Sequence, residues 1–588
     1  MMAPAFISNG RFAVFALAVM SIFGVVSARL FQLHVLDQDQ ARRVVAENRY
    51  RFQEIEPRRG LILDSSGTVL ASSKATWDIG VDPQAVDVRD REKLALLAMV
   101  LNQSEAALEA KFGWKDPATA SRSNTRWVKL AGEVDESVFK AVSKLDIRGV
   151  YGNRFYSRYY PSGSDAAHVV GFVNKARTPV MGIERTLDYY LKGSPGWRVR
   201  EINGTRAEIR QFRVRDVEPQ HGYNVQLTLD ADIQRVVETE LDRVFAELKP
   251  ESATVIVSES RTGAILAMGS RPTFDPNAFW KYDLDVDLRN RAISDVYEPG
   301  STFKIITAAG FLNEGLGDRE TIFDCGISSV TYRDRRVVLP SDTRPRGKIP
   351  FHEVIKKSSN RGSALAGLKL GDSRFYEYCQ SFGIGQPTGI ELNGEERGIF
   401  HSLSDWDHYT LSRLSIGYGV GVTPLQMHMA MSVVANEGKW VAPHVVAQAL
   451  DGEMRPVMRF QQPEPRQVIR PEAANEIRNC LVEAVSLGGT GNRATLRNIQ
   501  VAGKTGTSRK LLSEGYSEER HVGSFTGFFP AERPEYLITV VVNDARNTPS
   551  TYGGVVAAPT FRAIASYIVS SRGIQPEPET RDLMVWNH

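Results

Sequence analysis

The chain has 588 residues, 42% hydrophobic and 24% charged, an ordinary globular composition with room for several domains. A net charge of +3 without a dense Lys/Arg cluster argues against nucleic acid as a partner. Cys325, Cys379 and Cys480 are far apart and form neither a Cys-x-x-Cys pair nor a Cys/His cluster at metal-ligand spacing, so neither a disulfide framework nor a metal site is expected, although the count allows one bond between two of them.

Phe12 to Ala28 carries no charge, and apolar residues continue past Arg29 to Leu36. This predicts a membrane anchor over 11–36 behind a short tail, 1–10, with Arg29 snorkelling to the interface. A cleaved signal peptide is the competing reading, because Val26-Ser27-Ala28 offers small residues for cleavage. The apolar run is longer than the usual core of about 7 to 15 residues and does not stop at that point, which favours the anchor. Arg11 precedes the span while Arg29, Arg42 and Arg43 follow it, so charge bias does not orient it.

Residues 37–220 are polar and irregular. Pro57 to Asp64, the turn Ser65-Ser66-Gly67 and Val69-Leu70-Ala71 read as strand, turn and strand. Val217 to Gly222 breaks the pattern and marks a boundary before a larger domain, 221–572, and a tail, 573–588. In that domain Val225 to Leu229 is a strand, Asp230 caps a helix over 231–248, and Ala253–Val257 and Ala264–Met268 form a hairpin. The Lys504 segment and Tyr536–Val542 are further strands, and Pro559–Val569 is a closing helix. Early and late strands with helices between them predict an α+β domain with one antiparallel sheet packed on helices.

The most informative stretch is Tyr297-Glu298-Pro299-Gly300-Ser301-Thr302-Phe303-Lys304, followed by an apolar run to Leu312. It reads as the start of a buried helix, on which residues three apart share a face, bringing the Ser301 hydroxyl within reach of the Lys304 amine. A serine is a weak nucleophile until a neighbour takes its proton, and a lysine does so only when burial or a nearby cation lowers its pKa. Taken alone, Ser-x-x-Lys is weak evidence and reads first as a helix cap followed by a solvated lysine. Two further segments, Ser358-Ser359-Asn360 and Lys504-Thr505-Gly506-Thr507, follow in order; taken alone, Ser358 or Ser359 is equally a helix cap. In the chemical reading, Ser358 relays a proton to a leaving amine and Asn360 holds Lys304 or a substrate amide. Lys504 depresses the pKa of Lys304 and attracts a carboxylate, Thr505 and Thr507 bond that carboxylate, and Gly506 lets substrate backbone approach the strand edge. Gly503-Lys504-Thr505 resembles the end of a Walker A loop, but Asn498 stands where that motif needs glycine.

The ordered set Ser-x-x-Lys, Ser-x-Asn and Lys-Thr-Gly resembles that of penicillin-binding proteins and serine β-lactamases. Arg59-Gly60 with Asp64 and Gly67, Tyr159-Tyr160-Pro161, His168 to Phe172 and Gly182-Ile183-Glu184 resemble the N-terminal module of class B penicillin-binding proteins, as does Gly417-Tyr418-Gly419 leading into Thr423-Pro424-Leu425-Gln426. The resemblance implies a penicilloyl-serine transferase fold on an elongated pedestal with one transmembrane helix and the catalytic domain outside the cytoplasmic membrane. It implies a D,D-transpeptidase that cross-links D-Ala-D-Ala stem peptides through an acyl-Ser301 intermediate, is acylated by β-lactams, needs no cofactor and works with a SEDS-family glycan polymerase and other division proteins. It places the oxyanion hole at the backbone N–H groups of Ser301 and Thr507. Glu298-Pro299-Gly300 is closer to division-type than to elongation-type members. A β-lactamase would need a base for water among Glu391, Glu395 and Glu396. A β-lactam sensor or a scaffold with a dead site would share the same motifs.

Overall fold

The computed structural model describes residues 9–36, 38–39, 50–113, 125, 127–201 and 215–575. Helix α1, Asn9–Phe31, continues through a π-helical turn at Gln32–Leu36. Its apolar side chains are exposed, and at 1.5 Å per residue the 28-residue stretch Asn9–Leu36 is long enough to cross a bilayer. The helix begins two residues before the expected start of the anchor. Most of both expected tails, together with Arg42 and Arg43, lies outside the described residues.

The rest forms two compact units. The first comprises 1–58 and 193–221 and contains an antiparallel sheet in the order Tyr50–Ile55, Gly196–Glu201, Arg215–Val217, with Phe52 stacked on Trp197.

The second unit comprises 59–192 and 222–588. It opens with the expected ribbon, β1 (Ile62–Leu63) and β2 (Val69–Val81), whose turn is held by Asp64 Oδ1 accepting from the Ser66 and Thr68 amides at 2.9 and 2.7 Å. Strands β3 (Val128–Val134) and β4 (Val150–Tyr159) both pair with β2. Strand β5 (Asn224–Leu227) runs parallel to β1 and antiparallel to Val446–Leu450, so residues on both sides of the expected boundary share one sheet. The short motifs near Arg59, Tyr160 and Glu184 meet at one point. Glu184 is fully buried, and its carboxylate takes Arg59 Nε at 2.6 Å, Arg158 Nε at 2.5 Å and the Tyr160 hydroxyl at 3.3 Å.

Helix α2 (Ala231–Leu248) starts where Asp230 Oδ1 accepts from the amides of Asp232 and Ile233. The five-stranded sheet contains β6 (Ser252–Glu259), β7 (Ile265–Arg271), β8 (Ala502–Leu512), β9 (Gly515–Phe529) and β10 (Tyr536–Asn543) in the spatial order β7-β6-β10-β9-β8. Every pairing is antiparallel, and β8 is an edge. On the helix side lie α3 (Lys304–Asn313), α4 (Phe351–Lys356), α5 (Asn360–Leu370), α6 (Pro424–Ala435) and α7 (Pro471–Val485). Their core includes Phe303, Ile306, Phe311, Met427, Met431, Ile477 and Leu481. α3 is buried from Lys304 to Leu312, which explains an apolar run without a polar face. The opposite sheet face, with Val255, Val257, Phe525 and Val540, packs on α2 and on α8 (Ala558–Arg572), which offers Phe561, Ile564, Ala565 and Ile568 at helical spacing. The three cysteines are buried and free.

Burial alone would raise the Glu184 pKa, but Arg158 and Arg59 outweigh it and hold the carboxyl below its ordinary 4.5. Glu184→Ala leaves the buried Arg158 without its counter-charge, so chemical denaturation of the solubilised protein should show a loss of about 3–5 kcal/mol. Because the folded pKa is depressed, the wild-type advantage should be complete at neutral pH and shrink as the pH falls through the folded value.

Candidate active site

Ser301 lies in a 3-10 turn, Gly300–Phe303, and α3 proper begins at Lys304, one turn later than a helix opened by Ser301 would. Gly300 has φ +54 and donates its N–H to Gly417 O at 3.1 Å; a Cβ on Gly300 would sit 2.6 Å from Thr507 O. Only glycine lets the turn approach strand β8 this closely. Gly506 is needed for a related reason, because its Cβ would meet Ser524 Oγ at 2.3 Å and Pro299 O at 2.8 Å. The absent side chain thus makes room for the nucleophile turn. Among the described residues, the Ser301 hydroxyl has no hydrogen-bond partner.

Lys304 reaches the second segment. Its Nζ donates to Ser358 O at 2.7 Å, Asn360 Oδ1 at 2.8 Å and Ser358 Oγ at 3.3 Å. Lys504 Nζ donates to the same Ser358 Oγ at 2.9 Å. Both lysines are buried. Burial and the neighbouring Lys504 drive the Lys304 pKa well below its ordinary value, while burial takes Lys504 down to about 7. Both shifts favour a neutral amine, and the mutual repulsion of the two lysines disfavours two positive charges on the pair. A neutral amine has two hydrogens and one lone pair; Ser358 O and Asn360 Oδ1 take the hydrogens and leave the lone pair for a hydroxyl.

Ser358 and Asn360 are expected in a helix-poor segment, but they join two helices. α4 ends at Lys356, Ser358 adopts the left-handed region with φ +56, and Asn360 is the first residue of α5, capped by the Ser359 hydroxyl. A non-glycine residue held there costs on the order of 1–3 kcal/mol, and here the strained turn brings the Ser358 carbonyl to Lys304. The alternation of β8 places Lys504 on the face of Thr526 and Thr539, toward the helices, and Thr505 and Thr507 on the opposite face with Phe525. Thr505 Oγ1 donates to Thr490 Oγ1 at 2.9 Å, while Thr507 Oγ1 donates to Gly506 O at 2.8 Å and accepts from the Gly553 amide at 3.1 Å.

A nucleophile turn, a Ser/Asn turn and a lysine-bearing strand edge thus converge from three distant parts of the sequence. Residues 253–566 match the penicillin binding protein transpeptidase domain, and 54–227 match the penicillin-binding protein dimerisation domain. The chain belongs to the class B penicillin-binding proteins. It is 32% identical to stage V sporulation protein D of Bacillus subtilis, over 94% of this chain and 84% of that one. It is 28% identical to the peptidoglycan D,D-transpeptidase FtsI of Escherichia coli, over 97% and 93%. The crystal structure of penicillin binding protein 3 from Mycobacterium tuberculosis complexed with ampicillin superposes with a TM-score of 0.69 at 25% identity, covering 90% of this chain and 98% of that one. As a class B penicillin-binding protein, the chain is a peptidoglycan D,D-transpeptidase with a transpeptidase domain and an N-terminal dimerisation domain.

The sequence alone does not point to Asp342, which organises the Ser/Asn turn of this penicillin-binding protein. Its carboxylate accepts from Ser359 Oγ at 2.7 Å, from the Arg361 amide at 3.2 Å and from the Asn360 amide. Asn360 Nδ2 donates to Ser341 O at 2.8 Å, which turns Oδ1 toward Lys304. Thr490, beside Thr505, is equally hidden; a lone aspartate or threonine in a loop carries no spacing signal. The three glutamates considered as bases for water are placed elsewhere. Glu391 accepts from the Val445 amide, Glu395 from Thr388 and Gly389, and Glu396 is exposed. His352, Glu353 and Glu483 bring metal-capable atoms within 4.8 Å of one another, but His352 Nδ1 already bonds Glu483 Oε2 at 2.7 Å and Arg319 covers the other oxygen.

Asp342→Ala should free three donors at the start of α5. Thermal unfolding should report a loss of about 1–2 kcal/mol, the scale of a missing helix cap.

Proposed function

We propose that this penicillin-binding protein is a septal enzyme whose Ser301 is acylated both by stem peptides and by β-lactams. The sharing of Ser358 Oγ between Lys304 and Lys504 carries the reading, because it links a neutral amine beside the nucleophile to a charged one at the strand edge. Ser301 Oγ attacks the D-Ala-D-Ala carbonyl and gives its proton to Lys304, while the N–H groups of Ser301 and Thr507 hold the developing oxyanion. The carbon–nitrogen bond breaks, the proton returns through Ser358 to the departing D-alanine amine, and an ester remains on Ser301. An amine on a neighbouring strand then attacks the ester, loses its proton through the same relay and forms the cross-link, restoring Ser301. Asn360 holds Lys304, and Lys504 with Thr505 and Thr507 receives the terminal carboxylate; Gly506 keeps the strand in contact with the nucleophile turn.

In this reading residues 37–220 form a pedestal and 221–572 the transpeptidase domain, with α1 anchoring the chain and the catalytic domain outside the cytoplasmic membrane. The partners are a SEDS-family glycan polymerase and other division proteins. The FtsI likeness over nearly the whole chain and the Glu298-Pro299-Gly300 sequence support the septal role.

Fluorescent penicillin should leave a lasting label on the wild type and none on Ser301→Ala. Rapid loss of the label would turn the reading to a β-lactamase. Depletion should produce filaments; normal division would remove the septal role. Lys504→Ala should slow acylation about 100- to 1000-fold. The charge on Lys504 is complete at low pH and lost as pH rises through about 7, so the acylation rate should carry a falling limb there. Lys504→Arg should move that limb to higher pH.

A further inference from the structure

The entry to the nucleophile turn is held by a residue outside the machinery assigned above. Glu298, three residues before Ser301, accepts two hydrogen bonds on Oε1, from the Gly419 amide at 2.8 Å and from the Tyr516 hydroxyl at 2.8 Å. The donors come from two different bodies. Gly419 belongs to the segment that already holds the turn by backbone, through Gly417 O on the Gly300 amide and through the reciprocal pair Tyr297 and Val422 at 3.0 and 2.9 Å. Tyr516 is the second residue of β9, at the tip of the hairpin whose other strand carries Lys504 to Thr507, and its ring meets that of Tyr418 edge-on at 5.9 Å.

The electrostatics of Glu298 are unusual. It lines a cavity of about 650 Å³ with Arg289, Arg291, Asp295, Arg509, Lys510 and Glu251. Each of those ions has an opposite charge nearby: Arg289 and Arg291 pair with Asp295, Arg509 with Glu518, and Lys510 with Glu251. Glu298 has no cationic partner among the described residues, and its Oε2 is buried without a hydrogen bond. Burial pushes its carboxyl above the ordinary range, partly offset by the two bonds. An uncompensated carboxylate is costly to bury, so a site that carries one beside its nucleophile uses the bonds it makes.

We infer that Glu298 is a positioning residue for acylation: one carboxylate oxygen locks both the hairpin tip and the Gly417–Gly421 segment to the turn that carries Ser301. This deepens the transpeptidase reading and rests on it. Without the lock, the turn keeps its backbone bonds to Gly417 and Val422, but the hairpin is tied to it only indirectly, through the Tyr418 ring against Tyr516 and the Tyr418 hydroxyl on the Arg509 amide at 3.4 Å. The close contact between Gly300 and Thr507 then loses its brace, and with it the alignment of the nucleophile with the strand edge.

The test is stopped-flow acylation of the full chain in detergent by a chromogenic penicillin, separating the dissociation constant of the first complex from the first-order acylation constant. Glu298→Ala should lower the acylation constant about 10- to 100-fold, the range expected for a displaced reacting group. The dissociation constant should stay within about threefold, and the fraction labelled at saturation should be unchanged. Glu298→Gln, whose amide oxygen can take both donors, should lie within about threefold of wild type. Tyr516→Phe should slow acylation about 3- to 10-fold, and the double variant Glu298→Ala with Tyr516→Phe should be no slower than Glu298→Ala alone. Wild-type acylation by Glu298→Ala, a loss confined to the dissociation constant, or a double variant that multiplies the two single losses would overturn the proposal. If Glu298→Ala does not fold, Tyr516→Phe decides, and its acylating at the wild-type rate would overturn the proposal. A wild type that takes no label would instead remove the transpeptidase reading itself.

Discussion

One hydroxyl, that of Ser358, lies within hydrogen-bond distance of two buried lysines, and this sharing limits the charge the site can carry. Bonds of 3.3 and 2.9 Å to a common atom hold the two Nζ atoms within about 6 Å of each other. At an effective dielectric constant of about 20, two unit charges at that separation repel by about 3 kcal/mol, equivalent to about two pKa units. Surface counter-ions screen such a pair poorly when both members are buried. Repulsion of that size, added to the burial of both amines, favours one neutral lysine in the pair. Lys304, next to the Ser301 turn, is the base of the pair in the proposed mechanism; its burial and Lys504 lower its pKa well below the ordinary value, and Asp342 returns only part of that loss. The result is an asymmetric pair, a base beside the nucleophile and a cation at the strand edge, built from two residues of the same type.

Keeping the pair together requires three unrelated backbone devices. The left-handed Ser358 turns its carbonyl toward Lys304, at a strain the flanking helices and Asp342 sustain. The edge position of β8 brings Lys504 to the helices through simple alternation, without a strand beyond it to block the cleft. Gly300 and Gly506 let the nucleophile turn lie on that strand at distances no side chain would tolerate. These devices are coupled, since a change in the twist of β8 would move Lys504, Thr507 and the Gly300 contact together.

Much of this is legible in the sequence. The hairpin of β6 and β7, the Asp230 cap, the late strands and the closing helix follow from apolar periodicity and turn residues, and the three motif segments that converge stand out by their order. What escapes is whatever depends on atoms meeting across the fold. The pairing of β1 with β5 joins residues about 160 positions apart through two hydrogen-bonded positions, a contact with no local signature. Alternation on β8 puts Thr505 and Thr507 on the face opposite Lys504, where their hydroxyls bond Thr490, Gly506 and Gly553, partners no local pattern names. Gly506 is necessary also for a contact the sequence does not show, with Pro299 of the nucleophile turn. Asp342 and Glu298 act through single carboxylates in loops, where an acidic residue is unremarkable by composition.

The same atoms separate acyl transfer to an amine from hydrolysis. Water is a poor nucleophile toward an ester unless a base sits beside it, whereas an incoming amine already has a free lone pair once it is neutral. The carboxylates that could have served water in this chain are committed to backbone amides of distant loops: Glu395 closes its own turn at Thr388 and Gly389, and Glu391 holds Val445. Glu298, the carboxylate three residues before Ser301, is committed through Oε1 to Gly419 and Tyr516, and the lysine that is neutral in the proposed mechanism, Lys304, has both hydrogens committed to Ser358 O and Asn360 Oδ1. Under the proposed mechanism its lone pair can accept a proton from an attacking amine. An acyl-Ser301 ester formed here would therefore wait for an amine, as a cross-linking enzyme requires.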